Sequence, residues 1–224
     1  MSGKLFVIEG VDGSGKATQT DLLYQALLKK YEKVRKVSFP DYDSPSSSLI
    51  KMYLNGEFGT DPNSVNAFAT SVFFAVDRFS SFRKDWGSFY EEGGIVIADR
   101  YVTSNLVHQA GKITNPKEKE RYIAWLSDLE YQIFGLPKPD CVLFLDMPPK
   151  YSLQLRKERN SLKQGLSKDI HEADQEYLDH AYDNAVSIAK NQAWHTVHCV
   201  RDEKIRTIES IHSEVLDVIT KELN

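Results

Sequence analysis

The chain has only two cysteines among its 224 residues, too few for a disulfide framework. Cys141 and Cys199 each lie in an apolar run, and neither has a second cysteine at the spacing of a zinc-ligand pair. We therefore expect both thiols to be buried and reduced.

The chain also lacks a surplus of basic charge, and it lacks long apolar stretches. The chain has 28 Lys and Arg residues against 32 Asp and Glu residues, a net charge of −4, which argues against a general nucleic-acid-binding protein. The apolar run at residues 5–8 is too short for a signal peptide, and no stretch approaches the length of a membrane span. We expect a cytoplasmic protein with no nucleic-acid or membrane partner.

Short apolar runs alternate with segments of helical spacing. The runs are rich in β-branched and aromatic residues and predict five buried strands, at residues 4–8, 34–38, 95–98, 141–145 and 196–200. Apolar periodicity predicts helices at residues 16–31, 62–83, 117–134, 174–193 and 203–222. The alternation predicts one α/β domain over residues 1–224, a parallel five-stranded sheet flanked by helices that binds ligands beyond the carboxyl ends of its strands.

Two segments break this alternation. Residues 39–48 contain two prolines and a run of serines, which predicts an ordered loop leading into a helix at about Ser47. Residues 156–172 are charged, poor in apolar residues and interrupted by Gly165. We expect this second segment to be a short, mobile lid at the surface.

A phosphate-binding loop follows the first predicted strand. Residues 10–16 have the pattern G-x-x-x-x-G-K, with a predicted strand before them and a predicted helix after them. The glycines let backbone N–H groups point at phosphate oxygens, and Lys16 adds a positive charge. The pattern predicts a P-loop NTPase-type fold and a nucleoside triphosphate site formed by Gly10, Val11, Asp12, Gly13, Ser14, Gly15, Lys16, Ala17 and Thr18.

The loop departs from the usual pattern at the position that normally binds Mg²⁺. Ala17 stands where a Ser or Thr hydroxyl is typical, and Thr18 points about 100° away around the helix. We expect Mg²⁺ to be held by nucleotide oxygens, water and one carboxylate. Asp99, at the end of the third predicted strand, is the first candidate, and Asp146 is the alternative.

The P-loop alone does not decide the reaction. A GTP switch would carry an N-K-x-D segment after a strand, and residues 115–118 (NPKE) do not match it. A motor is usually a larger chain. The length, the charged lid and several arginines favour a kinase that acts on a small acceptor.

Several further motifs occur in a recognisable order. They are FVIEGVDGSGKATQ at residues 6–19, FP at 39–40, FFAVDR at 73–78, ADRYVTSNLVHQ at 98–109 and GLPKPDCVLFLD at 135–146. In this order they resemble the thymidylate kinase family of nucleoside monophosphate kinases. The resemblance implies transfer of the ATP γ-phosphoryl group to dTMP, giving dTDP, with Mg²⁺ and in a homodimer.

The resemblance also implies roles for residues around the acceptor. Asp12 would lie near the sugar and phosphate of dTMP, although an Asx turn is an alternative role. Phe74 would stack on thymine and Arg78 would read the base edge, because residues four apart share a helix face. Core packing remains an alternative for Phe74, and ordinary packing is an alternative for Phe39, which would line the same pocket.

Residues 99–101 match the family motif D-R-[YH]. The match implies that Arg100 bridges the donor and acceptor phosphates and that Tyr101 belongs to the substrate site. Ser104 and Gln109 stand at polar positions of the family, and Gln109 would bond the pyrimidine. Lys16, Arg100 and Asp12 are thus the expected catalytic residues outside the lid.

Some positions differ from the family pattern. Gly13 stands where some members have a catalytic arginine, so we expect the lid to supply that charge through Arg156 and Arg159, which share a helix face. Lys163 and Lys168 are also in the lid, but a solvated role is as plausible for them. His108 replaces a tyrosine, and Tyr42 replaces an arginine of some relatives.

These departures leave two alternatives to dTMP phosphorylation. One is a nucleotide-binding protein with weakened catalysis, and the other is a kinase for a different nucleoside monophosphate. No general base is expected, because the acceptor is already a phosphate oxygen.

Overall fold

The computed structural model describes residues 3–162, 170 and 175–223, without the side chains of residues 159–162. Its main sheet has five parallel strands in the order β2-β3-β1-β4-β5. The strands are β1 (Lys4–Glu9), β2 (Val34–Ser38), β3 (Ile95–Asp99), β4 (Cys141–Asp146) and β5 (His195–His198). The predicted sheet is confirmed, with bounds that shift by a residue or two.

Helices cover both faces of this sheet. Within the described residues they are α1 (Lys16–Leu28), α2 (Ser48–Leu54), α3 (Ala67–Ser81), α4 (Gly87–Glu91), α5 (Val102–His108), α6 (Pro116–Ser127), α7 (Pro149–Leu162), α8 (Gln175–Asn191) and α9 (Ile208–Leu223). Two π-helical turns, Phe82–Trp86 and Asp128–Ile133, continue directly from α3 and α6. Among the described residues, no helix combines the length and apolar character needed to cross a membrane.

The central strand β1 divides the core into two halves. Leu5 and Val7 pack on one face with side chains of α5, α6 and α8, whereas Phe6 and Ile8 pack on the other with α1 and α9. All four side chains are fully buried. A parallel strand buried on both faces needs an uninterrupted apolar run, which is the pattern that identified β1 in the sequence.

The helix predicted at residues 62–83 begins later than expected. Pro62–Ser64 forms a 3₁₀ turn, and α3 starts at Ala67. Asn66 caps the helix, since its Oδ1 accepts a hydrogen bond from the N–H of Ala69 at 2.9 Å. The prediction of a loop leading into a helix near Ser47 is confirmed by α2 and the 3₁₀ turn before it.

The helix predicted at residues 203–222 was wrong at its start. Residues 200–205 form a small antiparallel hairpin of β6 (Val200–Arg201) and β7 (Lys204–Ile205), and α9 begins only at Ile208. Asp202 and Glu203 form the turn with φ of 50° and 58°. Such a two-residue turn normally carries Gly or Asn, so the sequence Asp-Glu gave no hairpin signal.

The lid prediction needs a correction for residues 156–162. These residues are the end of helix α7, which starts at Pro149, and Arg156 is only 6% exposed. Ile170 is also buried, in a cluster with Ile50 and Tyr53. Lys163 and Lys168 lie outside the described residues.

Candidate active site

The P-loop joins the end of β1 to the start of α1. Gly15 precedes the helix with φ of 88°, a left-handed conformation that favours glycine. Lys16 Nζ donates to the carbonyl oxygen of Val11 at 2.9 Å and lies 3.9 Å from Oδ1 of Asp12. The lysine therefore curls back over the loop that it follows, toward the position of a bound phosphate.

A cavity of about 650 Å³ opens beside this loop. It continues past the carboxyl ends of the strands and is bounded by the P-loop, the start of α5, α3 and the start of α9. Its lining includes the residues Asp12–Gln19, Phe39, Tyr42, Phe74, Arg78, Asp99, Arg100, Ser104, Asn105, His108, Gln109, Ile205, Arg206 and Ile208. The predicted phosphate and acceptor residues thus line one continuous space.

Two predicted members of the ATP site lie behind the cavity rather than in its lining. The N–H of Gly10 donates to Oε1 of Glu9 at 2.9 Å, so this N–H is already used. Val11 is 3% exposed, and its carbonyl oxygen holds Lys16. Asp12 to Thr18 line the cavity as predicted.

Arg100 is the centre of the charged end of the cavity. Its Nη2 pairs with Asp12, and its Nη1 lies 3.1 Å from Nε2 of His108 and 3.7 Å from Oε1 of Glu9. Arg100 has φ of 68°, an uncommon conformation for a residue with a side chain and one that concentrates at functional sites. Burial alone would lower the pKa of Arg100, but Asp12 and then Glu9 outweigh it and raise the pKa.

Glu9 is a buried residue beside the cavity that the sequence motifs did not single out. Its carboxylate is fully buried and accepts hydrogen bonds from the hydroxyls of Thr103 and Ser104, both at 2.7 Å. It thereby ties the end of β1 to the start of α5 beside Arg100. The available signal was a lone acidic residue directly after the apolar run of β1.

Lys16 and Asp99 meet at the same end of the sheet. Burial, and then the charge of Arg100, lower the pKa of Lys16 to about 8, although Asp12 and Asp99 act in the opposite direction. Burial raises the pKa of Asp99, while the charges of Lys16 and Arg100 oppose the rise. A bound polyphosphate would favour the charged form of the lysine.

The structure discriminates between the two candidate carboxylates for Mg²⁺. Asp99 lines the cavity, whereas Asp146 does not and is engaged by the Tyr182 hydroxyl at 2.8 Å and by Nδ1 of His198 at 2.7 Å. Within the described ranges, no group of three or more His, Cys, Asp or Glu side chains is arranged to hold a metal ion.

The predicted acceptor residues lie farther along the cavity. Phe74 and Gln109 line it from α3 and the end of α5, and Phe39 does so from the loop after β2. Gln109 is 1% exposed, and its Oε1 has no hydrogen-bond partner in the described part of the chain. Phe39 also packs against Tyr101, with ring centroids 6.1 Å apart, so it both lines the cavity and belongs to the core.

Tyr101 does not line the cavity with its side chain. The ring is fully buried in the core, and its hydroxyl donates to the carbonyl oxygen of Pro137 at 3.0 Å. Its own carbonyl oxygen accepts a hydrogen bond from Nη1 of Arg78 at 3.3 Å. The predicted contact of the Tyr101 side chain with substrate is therefore corrected to a supporting role, because an apolar core surrounds the ring.

Asp77 holds the loop that carries Phe39 and Tyr42. This fully buried carboxylate accepts hydrogen bonds from the N–H of Asp41 at 2.8 Å and from the hydroxyl of Ser46 at 2.6 Å. Burial raises its pKa. The loop is thereby fixed against α3, the helix that also presents Phe74 to the cavity.

Gly13 and helix α7 lie in direct contact. A Cβ atom at Gly13 would lie 2.6 Å from the carbonyl oxygen of Ser152 and 2.8 Å from Cγ of Arg156, and φ of Gly13 is 86°. The absence of a side chain at this P-loop position therefore makes room for Arg156. Arg156 packs against the loop without lining the cavity, and its Nη2 donates to Gln175 at 3.3 Å. The side chain of Arg159 lies outside the described part of the chain.

The sequence did not predict the far end of the cavity. Ile205 and Ile208 line it, together with Arg206, whose guanidinium donates to Glu214 at 2.7 Å. Gln19 links α1 to this end through a 3.1 Å hydrogen bond to the carbonyl oxygen of Ile208. The unrecognised hairpin and the late start of α9 hid these residues from sequence analysis.

The chain is similar in sequence to known proteins. The family model of thymidylate kinase matches residues 8–211. A thymidylate kinase of Mycobacterium tuberculosis (strain CDC 1551 / Oshkosh) is 32% identical over 173 residues, which cover 77% of this chain and 79% of that protein. A thymidylate kinase of Plasmodium falciparum (isolate 3D7) is 26% identical over 219 residues, which cover 98% of this chain and 90% of that protein.

Solved structures agree on the fold. The thymidylate kinase structure from Candida albicans aligns with a TM-score of 0.71 at 23% identity and covers 98% of this chain and 92% of its own. The structure from Ehrlichia chaffeensis aligns with a TM-score of 0.68 at 21% identity and covers 98% of this chain and 100% of its own. The family match over most of the sequence, together with these relatives, shows that the chain belongs to the thymidylate kinase family.

Proposed function

We propose that this thymidylate kinase family member transfers the γ-phosphoryl group of ATP to dTMP through Lys16, Arg100 and the arginines of α7. The main support for these roles is that a single cavity is lined by the P-loop, by Arg100 and by the aromatic residues Phe39 and Phe74. A phosphate oxygen of dTMP forms the new P–O bond as the bond to ADP breaks, so the products are dTDP and ADP. No proton needs to be removed from the acceptor.

Lys16 and Arg100 act on the transferred group from two sides. The P-loop N–H groups and Lys16 bind the donor phosphates, and Arg100 lies between that loop and the acceptor end of the cavity. Charge that spreads over the transferred group meets fixed positive charge there. Asp12 holds Arg100 by an ion pair and lines the same cavity, which supports its assignment to the acceptor sugar and phosphate.

Arg156 and Arg159 supply the charge that the P-loop lacks at Gly13. The support is the contact of α7 with Gly13 and the burial of Arg156, which is 6% exposed. Holding an arginine in place costs less entropy when its stem is already packed. We assign both arginines to positive charge for the γ-phosphate, and Arg156 also to holding α7 against the P-loop.

The acceptor base binds between Phe74 and Gln109. Phe74 offers a ring face for stacking, and Gln109 offers an Oε1 acceptor that is free of partners among the described residues. A pyrimidine that carries an N–H donor satisfies this acceptor, which would otherwise be buried unpaired. Ser104 lines the sugar region next to Arg100.

Asp99 is the residue that would hold Mg²⁺ in this site. When bound, the ion neutralises charge on the donor phosphates and so favours transfer. Asp99 suits it because its carboxylate ends β3 within the cavity, beside Lys16. The missing hydroxyl at Ala17 leaves the remaining coordination to nucleotide oxygens and water.

The protein acts as a homodimer in the cytoplasm. The support for dimerisation is an outward apolar face on α3, formed by Val72, Val76 and Phe79, and extended by Ile133, which is 68% exposed. Phe134 contacts Phe79 with ring centroids 5.1 Å apart, so the face is continuous. It lies on the helix that presents Phe74 and Arg78 to the cavity, and a second copy covering it would stiffen that helix.

Turnover against a panel of nucleoside monophosphates with ATP and Mg²⁺ tests the activity. We expect dTMP to give the highest kcat/KM, with ADP formed in equal amount to dTDP. Faster turnover of dUMP, dGMP or another acceptor would contradict the assigned substrate. Binding of ATP and dTMP without ADP formation would contradict catalysis.

A further inference from the structure

Arg78 and Glu130 form a buried ion pair at the acceptor end of the cavity. Arg78 is 1% exposed yet lines the cavity from α3, whereas Glu130 is fully buried behind it in the π-helical turn after α6. Nε and Nη2 of Arg78 each donate to a separate carboxylate oxygen of Glu130 at 2.6 Å. The two planar groups therefore meet side-on in a bidentate pair.

This pairing leaves a defined set of donors for a ligand. A guanidinium has five N–H groups. Glu130 accepts from two of them, and the carbonyl oxygen of Tyr101 accepts from Nη1 at 3.3 Å. The two that remain are one N–H on each Nη nitrogen, so Arg78 offers a ligand donors only.

Glu130 also fixes a second residue of the cavity lining. Nδ2 of Asn105 lies 3.4 Å from Oε1 of Glu130 and 3.3 Å from the carbonyl oxygen of Ser71. One buried carboxylate thus holds two side chains, from α3 and α5, that both face the cavity.

The pair makes the two ends of the cavity electrically different. Lys16 and Arg100 concentrate positive charge beside the P-loop, whereas the carboxylate of Glu130 balances the charge of Arg78. Burial would lower the pKa of Arg78, but the charge and hydrogen bonds of Glu130 raise it, so the guanidinium stays ionised. A phosphate is drawn to the P-loop end, and a neutral carbonyl suits the Arg78 end.

We propose that Glu130 is a positioning residue for acceptor specificity: it orients Arg78 so that donors alone face the base, and it cancels the charge there. The proposal rests on the dTMP kinase activity and deepens it. Thymine has a carbonyl oxygen at ring position 4, which accepts hydrogen bonds from these donors. Cytosine has an amino group at that position, which leaves buried donors unpaired.

The substitution Glu130→Gln tests this role. Glutamine has nearly the same shape but replaces one acceptor oxygen with an N–H₂ donor that faces the guanidinium. We expect KM for dTMP to rise about tenfold or more, with kcat at saturating dTMP within about twofold of the natural protein. We also expect the ratio of kcat/KM for dTMP to that for dCMP to fall about tenfold or more.

A control separates this role from general loosening of the core. Tyr122→Phe removes a buried hydroxyl that bonds the Ser71 hydroxyl at 2.6 Å and the backbone carbonyl of Asn105 at 3.3 Å, and neither of these hydrogen bonds involves Arg78 or Glu130. This variant should keep the natural KM and the natural preference for dTMP over dCMP. An unchanged KM and dTMP preference in Glu130→Gln would overturn the proposal, as would a fall in kcat with KM unchanged.

A second variant keeps the test decisive if Glu130→Gln does not fold. In the double variant Arg78→Leu/Glu130→Leu both charges leave together, a change that buried ion pairs often tolerate. We expect folded protein with natural ATP affinity and a raised KM for dTMP. A natural KM for dTMP in the double variant would overturn the proposal. Failure of the unmodified protein to phosphorylate dTMP would instead contradict the activity itself.

Discussion

Gly13 of the P-loop lies so close to Arg156 of α7 that a Cβ atom on the glycine would be 2.8 Å from Cγ of the arginine. The same atom would be 2.6 Å from the carbonyl oxygen of Ser152, which cannot move without its helix. The glycine and Arg156 are therefore complementary in shape. The P-loop and helix α7 form one packed unit.

We expect Gly13→Ala to destabilise the protein and to lower kcat, because the new methyl group displaces α7. Gly15→Ala is a matched control: φ is 88° there and 86° at Gly13, but a Cβ at Gly15 meets nothing within 4 Å. Urea unfolding without nucleotide should show that Gly13→Ala lowers the free energy of unfolding by about 1–3 kcal/mol more than Gly15→Ala does. Equal losses of unfolding free energy would contradict the contact.

Arg100→Met should lower kcat by about 10²–10³-fold, since it removes positive charge next to the transferred group. Arg35→Met is the control, because Arg35 lies on the surface strand β2 and bonds Asp85 at 2.8 Å, away from the cavity. Steady-state turnover with saturating ATP and dTMP gives kcat for both variants. Near-natural turnover of Arg100→Met would exclude the assigned role.

The strands and the P-loop were predictable because their signals are local. An uninterrupted apolar run marks a strand buried on both faces, and the glycine pattern needs only seven consecutive residues, 10–16. The hairpin at residues 200–205 was missed because its turn, Asp202-Glu203, lacks the glycine or asparagine that usually marks positive φ.

The supporting residues of the site were not predictable because their partners are distant in sequence. Arg78 and Glu130 are separated by 52 positions and meet only after folding. Likewise, the charge pattern around Arg156 resembles that of a solvated helix, and nothing local indicates that Gly13 leaves space for it. The sequence thus identified residues that line the cavity better than the buried residues that hold them in place.

Asp77→Asn should weaken acceptor binding while ATP binding stays unchanged. Asparagine keeps one acceptor oxygen for the N–H of Asp41, but an N–H₂ group replaces the oxygen that accepts from the hydroxyl of Ser46, so this hydroxyl must turn to accept instead. Both hydrogen bonds then lose their charged acceptor and the loop with Phe39 loosens, so we expect KM for dTMP to rise roughly tenfold. Ser46→Ala removes only one of the two donors and should raise KM less. A KM for Asp77→Asn no higher than that for Ser46→Ala would count against the loop-anchoring role.

Val76→Lys should convert the dimer to a monomer, because it puts a charge in the apolar face of α3. Val186→Lys is the control, because Val186 on α8 is 41% exposed and Val76 is 42% exposed. Each change should therefore alter the free energy of unfolding of the monomer little. Sedimentation velocity should show a dimer for the natural chain and for Val186→Lys alone. A dimer that persists in Val76→Lys would refute the assigned interface.

ATP binding should be coupled to proton uptake in mildly alkaline solution. Lys16 has a pKa of about 8 because burial disfavours its charged form. At about pH 8.5 roughly three quarters of these side chains are neutral, and bound phosphates raise the pKa, so binding draws a proton from the buffer. Titration calorimetry in two buffers of different protonation enthalpy measures this uptake.

Lys16→Met should abolish the proton uptake, whereas Lys112→Met should keep it. Lys112 has the same lowered pKa of about 8, but it bonds Tyr53 away from the cavity lining. Undiminished uptake in Lys16→Met would assign the proton to another group.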